Sequence, residues 1–230
     1  MALLYVINLI YRRSGAEAMT KKQKAQQCVE LLLKEYPDAS CTLNDTDPYQ
    51  LLVAVRLAAQ CTDARVNMVT PALFERFPTV FDMAQADPIE IEGYIKSCGF
   101  YHAKARDISL CAKMLVEKYN GRVPDTMEQL LELPGVGRKS ANLILGDVYG
   151  KEAIVTDTHC IRITNLLGLV DSKEPVKVEM QLRKIVPLDK GSDFCHALVL
   201  HGREVCVARR PDCGRCCLRE LCDYCKKNGK

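Results

Sequence analysis

The strongest constraint on this chain is a run of four cysteines near its carboxyl end, spaced Cys206-x6-Cys213-x2-Cys216-x5-Cys222. The chain has 13 cysteines, an odd number, without the spacing of a secreted disulfide scaffold. This usage indicates reduced thiols and a metal site. Four thiolates so close in sequence can wrap a cubane iron–sulfur cluster. The subset Cys213, Cys216, Cys222 and Cys225 would instead suit paired zinc knuckles, so spacing favours iron–sulfur but leaves zinc open.

The overall composition is that of an ordinary globular protein. Of its 230 residues, 48% are hydrophobic and 27% charged, which excludes disordered and fibrous classes. A net charge of +3 does not demand a nucleic-acid partner, and the lack of tryptophan argues against a base-stacking RNA-binding sheet. Residues 203–230, however, carry eight basic and four acidic side chains. A basic surface suited to anions therefore coincides with the cysteine run.

Helical periodicity dominates the chain from Met19 onward. Apolar residues recur at spacings near 3.6, as at Ile108, Cys111 and Leu115, and proline and glycine breakers separate the segments. Residues 153–155 are the best strand candidate, but this apolar run is short. The sequence therefore predicts an all-α chain of about ten short helices.

The amino-terminal residues 1–18 are expected to be an extension of doubtful value. Residues 1–11 are apolar, but Arg12 and Arg13 follow this run instead of preceding it, and the run is too short to span a bilayer. We therefore expect a cytoplasmic protein. A membrane anchor is the alternative.

Residues 126–149 predict a helix, a glycine turn and a second helix. Thr126 stands three residues before Gln129, as in a capping box, and Pro134 stops the first helix. The segment Gly135-Val136-Gly137 predicts a tight turn of residues that tolerate positive φ. The start of the second helix then offers unpaired backbone N–H groups that suit a phosphate. No strand precedes the turn and a third glycine is missing, so a dinucleotide fingerprint is excluded.

Two polar residues near this hairpin are candidates for chemistry. Lys139 lies in the first turn of the second helix, opposite its apolar face, where a solvated lysine is the ordinary interpretation. A nucleophile must be the uncharged amine, so that role requires a cleft that partly excludes water. Asp157 is well placed to cap a helix that stops at Gly168. A carboxylate held by helix N–H groups can also stabilise a developing cation.

Three motifs together resemble the endonuclease III family of helix-hairpin-helix DNA glycosylase/lyases over roughly residues 19–222. They are Leu133-Pro-Gly-Val-Gly-Arg-Lys139, Asp157-Thr-His159 and the four-cysteine spacing, which agrees with the family pattern in every interval. The resemblance implies Lys139 as nucleophile and Asp157 as catalytic carboxylate. It also implies a [4Fe–4S] cluster on Cys206, Cys213, Cys216 and Cys222.

The resemblance further implies two helical lobes that flank a DNA-binding groove. A six-helix lobe would cover residues 41–151 and contain the hairpin, and a cluster lobe would join residues 19–40 to 152–230. Gln60 would fill the gap left by an extruded base. Phe100 would wedge the duplex, although the family often has leucine there and a core position is the alternative. The full set of expected DNA contacts is Gln60, Phe100, Gly135, Gly137, Arg138, His159, Arg209, Arg210 and Arg215.

The function implied by the family is bifunctional base excision repair. An oxidised pyrimidine would be excised through a lysine Schiff base, and the strand cut 3′ to the abasic site by β-elimination. The expected partner is double-stranded DNA with damaged pyrimidines or abasic sites, bound by a monomer without a membrane. Two rivals are an adenine-mismatch glycosylase, whose branch lacks the hairpin lysine, and a non-catalytic DNA-binding or redox module.

Overall fold

The computed structural model describes residues 19–44 and 47–228, and within these ranges the chain is helical without a β-strand. The all-α prediction is therefore confirmed. Twelve α-helices and three shorter turns cover the described residues. The α-helices are α1 (Lys21–Glu35), α2 (Pro48–Ala58), α3 (Asp63–Arg76), α4 (Val80–Gln85), α5 (Pro88–Ile95), α6 (Tyr101–Tyr119), α7 (Met127–Glu132), α8 (Arg138–Leu143), α9 (Thr158–Leu166), α10 (Pro175–Leu182), α11 (Gly191–Glu204) and α12 (Asp223–Asn228); a π-helical turn spans Ile144–Val148, and 3₁₀ turns span Leu188–Lys190 and Arg219–Leu221.

Most helices begin at a side chain that caps them. At α1, the Thr20 hydroxyl accepts a hydrogen bond from the Gln23 backbone N–H, and the Gln23 side chain accepts one from the Thr20 N–H. Asp47 and Asp87 each precede a proline at the first helical position and accept bonds from the first turn. Such caps satisfy N–H groups that have no partner inside the helix. The helix starts are thus fixed by local sequence.

The apolar side chains gather in two separate cores. The first core takes its buried residues from positions 43–153, and so from α2 to α8. The second core joins the buried face of α1 to residues 154–225, which include α9 to α12. These two cores support our proposal of one lobe at 41–151 and a second lobe that joins 19–40 to 152–230, but the described residues of the first lobe form seven α-helices and not the expected six.

The link between the cores is the segment predicted as the best strand candidate. Residues 153–155 are buried, with at most 6% of any of them exposed, yet they lie in no strand. They are apolar because they pass through the interior between the two cores. Their expected strand assignment is therefore wrong, since burial by helices produces the same short apolar run as burial in a sheet.

No helix among residues 19–44 and 47–228 is long and apolar enough to cross a bilayer. The amino-terminal extension 1–18, for which a membrane anchor was the alternative, lies outside the described residues.

Candidate active site

The turn between α7 and α8 has only one glycine with positive φ. Gly135 has φ +77, and a Cβ added there would lie 2.6 Å from Nε of Arg56, which pairs with Asp107. Gly137 has φ −98 and caps α8 with its backbone alone, and a Cβ there would meet nothing within 4 Å. The expectation of positive φ at both glycines is wrong for Gly137. Because Gly137 has no side chain, it leaves the first backbone N–H groups of α8 uncovered.

Lys139 lies in the first turn of α8, as the sequence predicts. Ala141, two residues on, is fully buried in the first core, whereas Lys139 is exposed. The lysine therefore lies on the opposite face of the helix and reaches the wall of a pocket. The helix buries its apolar side and presents the amine.

Asp157 begins α9 and lies at the same pocket. Its Oδ1 accepts a hydrogen bond from the Cys160 backbone N–H at 2.7 Å. The helix runs to Leu166 and the following Gly168 has φ +75, so the predicted cap and stop are confirmed. Asp157 is half-buried. One carboxylate oxygen is thus held by the helix while the residue still lines the cavity.

The pocket, of about 340 Å³, lies where the two cores meet. The size is that of a small-molecule site. It brings together four residues that the sequence singled out, namely Lys139, Asp157, Gln60 and His159. Its walls also include residues that sequence reasoning missed, among them Asp63, Cys195, His196, Val199 and Arg203. Four of these belong to α11, whose face at 195, 196, 199 and 203 has helical spacing but no motif that marks it as functional.

His159 is held as a neutral ring. The Arg162 guanidinium can only donate, and its Nη2 lies 3.3 Å from Nδ1 of His159, so Nδ1 accepts. Burial, together with the guanidiniums of Arg162 and Arg203, lowers the pKa of His159 below its ordinary 6.5, although Asp157 acts to raise it. Gly202 makes this packing possible, because a Cβ there would lie 2.3 Å from Nδ1.

Arg138, an expected DNA contact, is engaged inside the protein. Its Nε lies 2.6 Å and its Nη2 3.0 Å from the carboxylate of Glu179, whose side chain is fully buried. Arg183 also reaches that carboxylate, at 3.2 Å. The ion pair joins α8 of the first core to α10 of the second. It therefore fixes the helix that carries the lysine against a helix of the second core.

The two candidates for insertion into DNA lie on neighbouring loops. Gln60 and Phe100 both adopt left-handed backbone conformations, with φ 54 and φ 59. A Cβ on Gly99 would lie 3.5 Å from the Gln60 carbonyl oxygen, so the two loops touch. Gln60 is exposed, and 68% of Phe100 is exposed. The alternative of a core position for Phe100 is therefore wrong.

The cysteine run folds around a small cavity of its own. Cys206, Cys213, Cys216, Cys222 and Cys225 all line it. No three His, Cys, Asp or Glu side chains of the described residues converge as the ligands of one ion would. Thiolates spread around a cavity suit a cluster, because each binds a different iron atom. The donor set thus fits a cubane cluster, and Cys225 of the alternative zinc set lines the same cavity.

The expected basic contacts of the cysteine loop lie apart from the lysine pocket. Arg209 and Arg210 are exposed and line a separate cleft with Arg162. Arg215 is exposed and lies 3.8 Å from Asp212. None of these three residues lines the lysine pocket.

Comparisons of sequence and of structure find known proteins that are similar to this chain. Residues 53–188 match the family model of the HhH-GPD superfamily base excision DNA repair protein. The Endonuclease III of Synechocystis sp. is 47% identical over 88% of this chain and 93% of its own length. That of Escherichia coli (strain K12) is 38% identical over 90% of this chain and 98% of its own. A solved structure of a trapped Endonuclease III–DNA covalent intermediate superposes with a TM-score of 0.85 at 41% identity, covering 93% of this chain and 100% of that one.

Proposed function

This chain belongs to the endonuclease III family within the HhH-GPD superfamily of base excision DNA repair proteins and is a DNA glycosylase, and we propose that it is bifunctional, excising oxidised pyrimidines and then cutting the strand. The observation that carries the proposal is one pocket lined by both Lys139 and Asp157. A similar solved endonuclease III was captured as a covalent intermediate with DNA. Such an intermediate requires a nucleophile, and Lys139 is the amine that this pocket offers.

The proposed reaction begins with attack of the uncharged Lys139 amine on C1′ of the extruded nucleotide. As the new N–C1′ bond forms, the glycosidic bond breaks, and the base departs with its electron pair and takes up the proton that the amine loses. Asp157 stabilises the positive charge that develops on the sugar, since its carboxylate stays in place through the Cys160 N–H. DNA in the groove would exclude water from the exposed lysine.

Strand cleavage follows from the same covalent bond. The sugar ring opens to an imine between Lys139 and C1′, and O4′ takes up a proton. Loss of a C2′ proton then expels the 3′-phosphate, which cuts the strand 3′ to the abasic sugar. Hydrolysis of the remaining imine releases the lysine. No residue beyond Lys139 and a proton acceptor is needed for this step.

The reacting nucleotide must leave the duplex, because its C1′ is inaccessible in the stack. Gln60 and Phe100 support this proposal, since both are exposed on touching loops beside the pocket. Gln60 would fill the gap left by the base and Phe100 would separate the neighbouring pair. The backbone N–H groups after Gly137, and Arg209 and Arg210 on the cysteine loop, would hold phosphates on the two sides of the lesion.

A [4Fe–4S] cluster on Cys206, Cys213, Cys216 and Cys222 is the proposed cofactor. When bound, it would supply four strong iron–thiolate bonds to residues 205–222, a described loop whose one helical element is the 3₁₀ turn Arg219–Leu221. The loop would then present Arg209 and the other arginines in a fixed geometry. The cytoplasmic location and the monomeric state stay predictions.

Borohydride trapping tests the proposed chemistry. With duplex DNA that contains an abasic site, the wild-type protein should cut the strand and, with borohydride, form a covalent adduct. Lys139→Gln should abolish both, and Lys113→Gln, which changes an exposed lysine on α6 away from the pocket, should abolish neither. A Lys139→Gln protein that traps and cuts at the wild-type rate contradicts the proposal. Wild-type protein that retains abasic DNA without cutting it would indicate the DNA-binding module instead.

A further inference from the structure

A second polar cluster lies behind the wall of the same pocket. The π-helical turn Ile144–Val148, which continues α8, carries Asp147. Its carboxylate accepts a hydrogen bond from Oγ of Ser192 at 2.6 Å, and its two oxygens lie 3.0 and 2.9 Å from Nε2 of His196. Only 14% of the Asp147 side chain and 12% of the His196 side chain are exposed. Ser192 and His196 lie one turn apart on α11, so two neighbouring side chains of that helix hold the carboxylate in place.

The backbone around Asp147 is arranged for this contact. A π-helical turn shifts the side chains that follow it relative to an α-helix, and such turns are frequent at functional sites. Gly146 lets the turn approach α11, since a Cβ there would lie 2.8 Å from Oγ of Ser192 and 3.2 Å from Cβ of Ala153. The turn and α11 are thus too close together to leave room for a side chain at position 146.

Asp147 fixes both the direction and the tautomer of the His196 ring. A carboxylate only accepts hydrogen bonds, so Nε2 of His196 must carry the hydrogen. With the ring's single hydrogen on Nε2, the lone pair lies on Nδ1. His196 also lines the pocket that holds Lys139 and Asp157. With Nε2 engaged by Asp147, Nδ1 is the ring nitrogen that His196 can offer to a ligand in the pocket, and the proposed chemistry on the sugar does not use it.

We propose that His196 reads the extruded base: its Nδ1 accepts a hydrogen bond from N3–H of a uracil- or thymine-type ring. This inference rests on the proposed glycosylase function and adds a specificity residue to it. Part of the pocket wall is apolar, with Val155, Val199 and Leu143 among its residues. A ligand site of this kind takes its specificity from the few polar groups placed on apolar walls.

The chemistry of the base supplies the discrimination. A uracil-type lesion presents N3–H as a donor, which matches Nδ1. A cytosine-type lesion has a lone pair at N3, which meets the Nδ1 lone pair and gains no bond. The pocket should accordingly prefer the uracil-type member of a matched pair of lesions. 5-Hydroxyuracil and 5-hydroxycytosine form such a pair, because both carry the same 5-hydroxyl group.

The competing interpretation is that Asp147 and His196 only join the two cores. A structural link of that kind would affect all activities of the protein together. A base-reading residue would affect base excision but not the cutting of a preformed abasic site, since that substrate has no base. The ratio of the two rates therefore separates the two roles.

The experiment measures single-turnover rates on three duplexes that contain 5-hydroxyuracil, 5-hydroxycytosine or a preformed abasic site. His196→Phe should lower 5-hydroxyuracil excision about tenfold, the size expected for one neutral hydrogen bond. It should lower 5-hydroxycytosine excision less, and leave abasic-site cutting within about twofold. Asp147→Asn, a milder change, should shift the ratio of the two lesions in the same direction. His102→Phe, an exposed histidine on α6, is the matched control and should change none of the rates.

Two results would overturn the inference. One is an unchanged 5-hydroxyuracil to 5-hydroxycytosine ratio in both His196→Phe and Asp147→Asn. The other is a parallel fall of abasic-site cutting with lesion excision, which would indicate a structural link. Failure of the proposed function gives a different pattern, in which the wild-type protein itself neither excises a lesion nor cuts abasic DNA.

Discussion

The buried carboxylate of Glu179 allows a sharp test of how the hairpin helix is held. Glu179 is fully buried and contacts Arg138 at 2.6 and 3.0 Å and Arg183 at 3.2 Å. Arg138→Met removes the two shorter contacts and leaves the carboxylate inside the protein. Removal of one partner from a buried pair costs about 3–5 kcal/mol. Because 32% of the Arg138 side chain is exposed and Arg183 remains, we expect a loss nearer 2–3 kcal/mol, about two-thirds of that range.

Thermal unfolding measures this loss. For a chain of this size, each kcal/mol shifts the Tm by about 2–4 °C, so Arg138→Met should lower the Tm by about 4–12 °C. Arg106→Met, an exposed arginine on α6, is the control and should leave the Tm unchanged. Replacing Arg138, Glu179 and Arg183 together by Met, Leu and Met should recover most of the loss, because no charge is then left buried. An Arg138→Met protein as stable as the control would refute this reasoning.

The same variant decides whether Arg138 also contacts DNA. A residue that neutralises one phosphate contributes about one unit to the slope of log binding constant against log salt concentration. Since Glu179 engages the Arg138 guanidinium, we expect Arg138→Met to leave that slope unchanged. Arg209→Met, at an exposed position on the cysteine loop, should reduce it. A reduced slope for Arg138→Met would show that the arginine leaves Glu179 for a phosphate.

Three further predictions follow from the site. Gly135→Ala should destabilise the protein by more than about 1 kcal/mol, because φ is +77 and the new Cβ would clash with the Arg56 side chain. Gly137→Ala, where a Cβ has free space, should cost less than about 0.5 kcal/mol. Equal Tm values for the two variants would contradict this prediction. The pKa of His159 is lowered in the folded state, so the stability that the neutral ring contributes is complete above pH 6.5 and is lost as the pH falls. The Tm difference between wild type and His159→Gln should therefore shrink on acidification. A difference that stays constant with pH would contradict this prediction. Cys206→Ser should remove bound iron and acid-labile sulfide, and Cys225→Ser should not, whereas zinc knuckles would give the reverse in a metal analysis.

The features that local sequence determines were predictable. The Asp157 cap, the stop at Gly168 and the position of Lys139 on the exposed face of its helix all depend on neighbours within a few residues. Caps and helical periodicity act over that range, so they can be derived without the tertiary structure. The helical class and the hairpin followed from the same signals.

The parts that escaped prediction depend on residues far apart in the chain. Asp147 and His196 are 49 positions apart and belong to different cores, so neither has a neighbour in sequence that marks it. The same holds for Arg138 and Glu179, where a residue expected on DNA is held by a buried carboxylate. Gly202 is required only because His159 packs on it. Pairings of this kind appear only once the packing of helices is known.

The second core has a consequence for how the chain is made, because it joins α1 to helices that come much later. Nζ of Lys24 in α1 lies 2.6 Å from Oδ1 of Asp223, and the hydroxyl oxygen of Tyr36, just after α1, lies 3.3 Å from Nδ1 of His201. At 5–20 residues per second, α1 leaves the ribosome roughly 10–40 s before these partners do. The first core can close during that interval, while the apolar face of α1 stays uncovered. A chaperone that shields nascent apolar helices therefore has more time to act on α1 than on any helix of the first core.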